Sequence, residues 1–169
     1  MIKKFLNIFR NGAYIDQYLF ISITLLSMMG LVFLYSASQG NMETTIKQSV
    51  FVFFGLILMF AASQPDPDFY KNNALLFLLI SIFLVLLTLL TGKEINGARR
   101  WLDLGFFTLQ TSEIIKVTLP VFLAAYLFDK PLPISLKNTF LTLLLIFFIV
   151  NLIRIQPDLG TSLVILIAG

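Results

Sequence analysis

Apolar residues in this chain come in continuous runs too long for an ordinary water-soluble core. They cover residues 18–35, 46–63, 74–91, 112–128 and 138–153, and a sixth run begins near residue 159 and is still apolar at residue 169. An α-helix of roughly eighteen residues spans about 27 Å, close to the hydrocarbon thickness of a bilayer. In lipid every backbone N–H and C=O must be satisfied within the protein, which leaves helices or closed barrels. Barrel strands alternate apolar and polar residues, and these runs do not. The fold class is therefore all-α, a polytopic transmembrane helix bundle with about five full spans and part of a sixth. Eleven residues make about half a span. The chain is therefore expected to be the N-terminal portion of a longer membrane protein, organised as a single membrane domain over 1–169.

Charged residues are 12% of the chain, and they cluster between the runs. There is no cysteine and no histidine. Disulfides, thiol nucleophiles and cysteine-held metals are excluded, and any proton transfer must use Asp, Glu, Lys or Tyr. No stretch combines a basic stripe with exposed aromatics, so nucleic acid is not an expected partner. The 18 phenylalanines read as lipid-facing bulk and helix packing.

The connections carry helix breakers. Gln64-Pro65-Asp66-Pro67-Asp68 fits a tight loop, as does Asp129-Lys130-Pro131-Leu132-Pro133, and Gly92 fits the end of the third helix. Lys3, Lys4 and Arg10 precede the first run, and no Lys or Arg follows it until Lys47. The positive-inside rule then puts the N-terminus in the cytoplasm, the Lys71 and Lys130/Lys137 loops beside it, and the loops around Arg99 and Gln156 outside. Ser36-Ala37-Ser38 is a weak cleavage signal, and the spans that follow favour an uncleaved anchor.

Three motifs break the apolar pattern. The first is Asn96-Gly97-Ala98-Arg99-Arg100-Trp101-Leu102-Asp103-Leu104-Gly105. Its Asn-Gly pair marks a turn. Its arginines and tryptophan suit either interfacial anchoring against membrane lipid or bidentate binding of a phosphate. The second is Gln110-Thr111-Ser112-Glu113-Ile114-Ile115-Lys116. Charges placed within a span cost on the order of 3 kcal/mol each, so they are expected to be compensated. Glu113 and Lys116 lie three residues apart and can pair on one helix face, both pointing into the bundle as a structural or allosteric polar pair. Pro120 is expected to kink that helix. The third is Gln156-Pro157-Asp158-Leu159-Gly160, where Asp158 suits the N-terminus of a sixth helix. The candidate substrate or cavity residues are Arg99, Arg100, Trp101, Gln110 and Asp158.

Together these motifs resemble those of the SEDS family (shape, elongation, division and sporulation). Its members typically carry an Asn-Gly-Ala-Arg-Arg-Trp-like loop, a Gln-Pro-Ser-Glu-x-x-Lys start of helix four, and Gln-Pro-Asp-Leu-Gly-Thr after helix five. Thr111 stands where the family usually has proline. Trp101-Leu102-Asp103-Leu104-Gly105 looks more like the rod-shape branch than the division branch. The resemblance implies the N-terminal half of a ten-helix peptidoglycan glycosyltransferase in the bacterial cytoplasmic (inner) membrane. Such an enzyme polymerises lipid II for cell-wall elongation, releases undecaprenyl pyrophosphate, and works beside a class B penicillin-binding protein, a transpeptidase. The family's essential aspartate lies after helix seven, beyond residue 169, so no catalytic residue is expected in this chain, and the chain alone should be inactive. The leaving pyrophosphate needs positive charge, from a divalent cation or from Arg and Lys. Two other functions suit the same polar residues: a flippase or transporter of lipid-linked precursors, and a non-catalytic partner-binding subunit.

Overall fold

The computed structural model describes residues 16–95, 97–105 and 107–168. Lys3, Lys4, Arg10, Asn96 and Gly169, on which the turn and topology readings draw, lie outside the described residues. The chain forms two compact units, 1–66 and 67–169.

In the first unit, α1 (Gln17–Ala37) and α2 (Met42–Ala62) form a helical hairpin. Asp16 caps α1 by accepting from the Leu19 amide at 2.9 Å, and Asn41 caps α2 by accepting from Thr44 at 3.1 Å. That cap starts α2 at Met42 rather than near residue 46, because a polar first turn belongs to a helix whenever its amides are satisfied. Gly40, at φ +78°, reverses the chain between them.

The second unit holds α3 (Pro67–Thr91), β1 (Lys93–Ile95), β2 (Ala98–Asp103), β3 (Thr108–Gln110), α4 (Thr111–Phe128), α5 (Leu136–Arg154) and α6 (Leu159–Ala168). The third span starts at Pro67, not near residue 74. Proline at the first helical position and Asp68 in the first turn both favour a helix start. Lys71 therefore lies in a helix and not in a loop. Its ammonium pairs with Asp129 at 2.9 Å and lies 4.1 Å from the centre of the Phe128 ring. This joins the start of α3 to the end of α4. Gly92 follows α3 closely, and a Cβ there would run into the Thr88 carbonyl oxygen.

α3 and α4 pack along a seam. Ala74, Leu78, Ser81, Val85 and Thr88 are its buried positions on α3, spaced alternately by four and three residues. Across it, Ser81 and Thr118 hydroxyls meet at 2.7 Å, and Thr88 and Thr111 hydroxyls at 3.0 Å. Small residues and interhelical hydroxyl bonds are what hold helices together where lipid is as apolar as the side chains. A double-mutant cycle of Ser81→Ala and Thr118→Val should give a coupling of about 0.6 kcal/mol, measured as reversible unfolding in detergent. The apolar core continues through Ile115, Leu119, Ile149, Ile153 and Ile165. α4 runs on through Pro120, which offers no amide to the Lys116 carbonyl.

Five described helices are long and apolar enough to cross a membrane, and the protein is a multi-span membrane protein. The sheet is an addition that the all-α reading did not foresee. It is antiparallel in the order β1-β2-β3 and links α3 to α4.

Candidate functional site

The three motifs converge at one end of α3 and α4. Strand alternation is the first cause. Successive side chains on a strand point to opposite faces, so adjacent Arg99 and Arg100 have different partners. Arg99 is exposed and pairs with Glu94 at 3.3 Å. Arg100 reaches the α5–α6 turn, where its Nε donates to the Gln156 carbonyl at 3.1 Å and its Nη2 donates to the Pro157 carbonyl. Its Nη1 lies 4.0 Å from Asp158 Oδ1.

Asp158 caps α6, accepting from the Thr161 amide at 3.2 Å through Oδ1. Its Oδ2 accepts from Gln110 Nε2 at 3.3 Å and from the Ser112 hydroxyl at 3.4 Å. One carboxylate thus ties β2, the end of β3, the start of α4 and the start of α6 together. Burial pushes the Asp158 carboxyl up. The Thr161 amide and hydroxyl, the Arg100 guanidinium and the Ser112 hydroxyl outweigh it, and the group sits below its ordinary value of 3.8. A depressed carboxyl adds stability above its unfolded value, and that stability is lost as pH falls through the folded value. The stability difference between the protein and its Asp158→Asn variant should therefore be constant above about pH 5 and shrink as pH drops below 3.8. Denaturation midpoints across pH check this.

Trp101 is half-buried on β2, opposite Lys93 on one side and Gln110 on the other. Glu113 and Lys116 pair at 2.6 Å, as their spacing on one helix face predicts. Their side chains are 54% and 25% exposed. The buried stripe of α4 runs through Thr111, Ser112, Ile115, Leu119 and Leu123, and Glu113 lies off it.

Two contributors stand inside the quoted motifs but not among the candidate site residues. Gln156 is fully buried and donates to the Val85 carbonyl in α3 at 3.4 Å, while its Oε1 has no hydrogen-bond partner among the described residues. Ser112 completes the Asp158 shell. An amide at a helix end beside proline, in apolar surroundings, was the available signal for Gln156. Among the described residues no three of His, Cys, Asp and Glu group together. Asp158 faces hydrogen-bond donors and a guanidinium, a set that does not fit a cation.

Fold and site together define a multi-span membrane protein in which two inter-helix loops are locked by one buried carboxylate. The chain belongs to the FtsW/RodA/SpoVE family of cell cycle proteins, whose sequence profile matches residues 16–169. It is 34% identical over 164 residues to the peptidoglycan glycosyltransferase MrdB of Escherichia coli K12, covering 95% of this chain and 44% of that protein. It is 32% identical to the peptidoglycan glycosyltransferase RodA of Treponema pallidum, over 93% and 37% respectively. The crystal structure of the Thermus thermophilus rod shape determining protein RodA superposes with a TM-score of 0.81 at 33% identity, covering 89% of this chain and 50% of that one. A chain in a peptidoglycan synthase complex, described as coordinating polymerization and crosslinking, gives 0.80 at 33% identity, over 89% and 44%. The chain spans about half the length of the relatives it matches, or less.

Proposed function

We propose that this chain forms the N-terminal part of a peptidoglycan glycosyltransferase that polymerises lipid II during cell-wall elongation. The observation that carries the reading is the lock between the Arg100, Gln110 and Asp158 motifs, in a chain 34% identical to a named glycosyltransferase. The family match over residues 16–169 supports reading the chain as one membrane domain. In this reading the residue that takes the proton from the acceptor hydroxyl lies beyond residue 169. Arg99 supplies positive charge toward the pyrophosphate of the departing undecaprenyl carrier. Arg100, Gln110 and Asp158 act as positioning residues, Trp101 lines the cavity mouth, and Glu113 with Lys116 forms a structural or allosteric pair. The positive charge that the leaving pyrophosphate needs comes from arginine and lysine, with a divalent cation as the alternative source. The location is the bacterial cytoplasmic membrane, with the N-terminus inside, supported by Lys3, Lys4 and Arg10. The proposed partner is a class B penicillin-binding transpeptidase, in keeping with the synthase complex that the fold matches.

The test is a polymerase assay on the full-length protein with lipid II, with and without that partner. Glycan strands are expected. Lipid transport without polymer would identify a flippase, and neither activity would identify a partner-binding subunit. Unchanged polymer yield in the Arg99→Gln/Arg100→Gln double variant would remove both arginines from the mechanism.

A further inference from the structure

Gln156 stands between α5 and α6 and faces three elements at once. Its amide N–H closes the end of α5 on the Ile153 carbonyl at 3.0 Å. Its carbonyl accepts from Arg100 Nε on β2 at 3.1 Å. Its side chain, fully buried, runs to α3, where Nε2 donates to the Val85 carbonyl at 3.4 Å.

That last bond is not one the fold requires. Val85 lies inside α3, so its carbonyl already has an amide from the helix ladder. The bond rescues no stranded backbone group. The other half of the side-chain amide is worse off than in water, because Oε1 is buried and has no hydrogen-bond partner among the described residues. A buried acceptor without a donor lowers stability, and an apolar side chain of the same shape in its place can be neutral or stabilising. A polar group kept in such a position belongs where geometry matters more than stability.

The geometry concerned is that of the α5–α6 turn. Arg100 addresses two consecutive carbonyls there, those of Gln156 and Pro157, and its Nη1 lies 4.0 Å from Asp158 Oδ1. Two carbonyls meet one planar fork only while the peptide planes that carry them keep one orientation. Gln156 offers a carbonyl to the fork and, from the same residue, an amide to α3. α3 is the fixed partner, because its buried stripe from Ala74 to Thr88 is packed against α4. The turn is thereby referred to a packed helix and not left to its own loop.

We infer that Gln156 is a positioning residue: its buried amide, anchored on the Val85 carbonyl, orients the α5–α6 turn for the Arg100 guanidinium and is kept for that against stability. Being fully buried, Gln156 does not touch substrate, and it acts on the reaction through Arg100. Its effect on activity rests on the glycosyltransferase reading, and its effect on stability does not.

Gln156→Met removes both halves of the amide at similar volume. The full-length protein is made with Gln156→Met, with Arg100→Gln and with both, and unfolding in detergent and lipid II polymerisation are followed. Gln156→Met should unfold no earlier than the parent. Its kcat should fall about tenfold while KM for lipid II stays unchanged, since no substrate contact is lost. Arg100→Gln should then lower activity and stability less in the Gln156→Met background than in the parent. An earlier unfolding midpoint for Gln156→Met would mean that Oε1 holds a donor and that the amide serves the fold, and it would overturn the inference. A parent-like kcat would overturn it too, as would an Arg100→Gln loss equal in both backgrounds. A parent that makes no polymer sinks the glycosyltransferase reading instead. The unfolding loss caused by Arg100→Gln in the two backgrounds then decides the inference by itself.

Discussion

Replacing Asp158 with alanine in the full-length protein should cost about 3 kcal/mol of stability and lower the proposed polymerase activity about a hundredfold. The side chain is 8% exposed and serves Arg100, Gln110, Ser112 and the Thr161 amide at once. Alanine removes the α6 cap and leaves a partly buried guanidinium short of its counter-charge. Asp158→Asn keeps a cap acceptor, so it should recover part of the stability and less of the activity. Thermal unfolding in detergent and lipid II polymerisation report the two losses. If the alanine variant polymerised at the parent rate, the α5–α6 turn would have no part in shaping the site.

Arg100→Lys should behave nearly as badly as Arg100→Gln, with about 2 kcal/mol lost and a tenfold or larger fall in activity. Three nitrogens of one planar fork address two carbonyls and a carboxylate, and an ammonium cannot span them. Because Arg100 and Asp158 act on one turn, the double variant should be little worse than either single one. Arg99→Gln gives the contrast. Its exposed pair with Glu94 is worth at most about 1 kcal/mol. Any larger effect on polymerisation with stability unchanged would then report contact with substrate.

The spans were legible because lipid demands continuous apolar runs, and those runs survive in any context. Their polar first turns were not. Asp68, Lys71, Asn72 and Asn73 carry no apolar signal, and only the Pro67 start explains why they are helical. The sheet was hidden because β1 and β3 have three residues each, too few to show alternation, and the six residues of β2, Ala-Arg-Arg-Trp-Leu-Asp, do not alternate apolar with polar. The Asn96-Gly97 pair was its one clear hint. The candidate site was legible as three motifs but not as one constellation. Gln110 and Asp158 lie 48 residues apart, and no local pattern predicts that one carboxylate collects both loops. The division of labour between Arg99 and Arg100 needed the strand. Read as a loop, the two looked interchangeable.

The hydroxyls along the α3 seam bear on the order of assembly. The Ser81 hydroxyl donates to the Leu78 carbonyl and the Thr88 hydroxyl to the Leu84 carbonyl, both at 2.8 Å within their own helix. Their oxygens are left to accept from Thr118 and Thr111. During synthesis α3 emerges before α4, and it can enter lipid alone without stranding a donor. When α4 arrives, it brings hydrogens to oxygens already waiting at two points seven residues apart on α3. A sliding apolar interface has no preferred stop, and those two points give the incoming helix one.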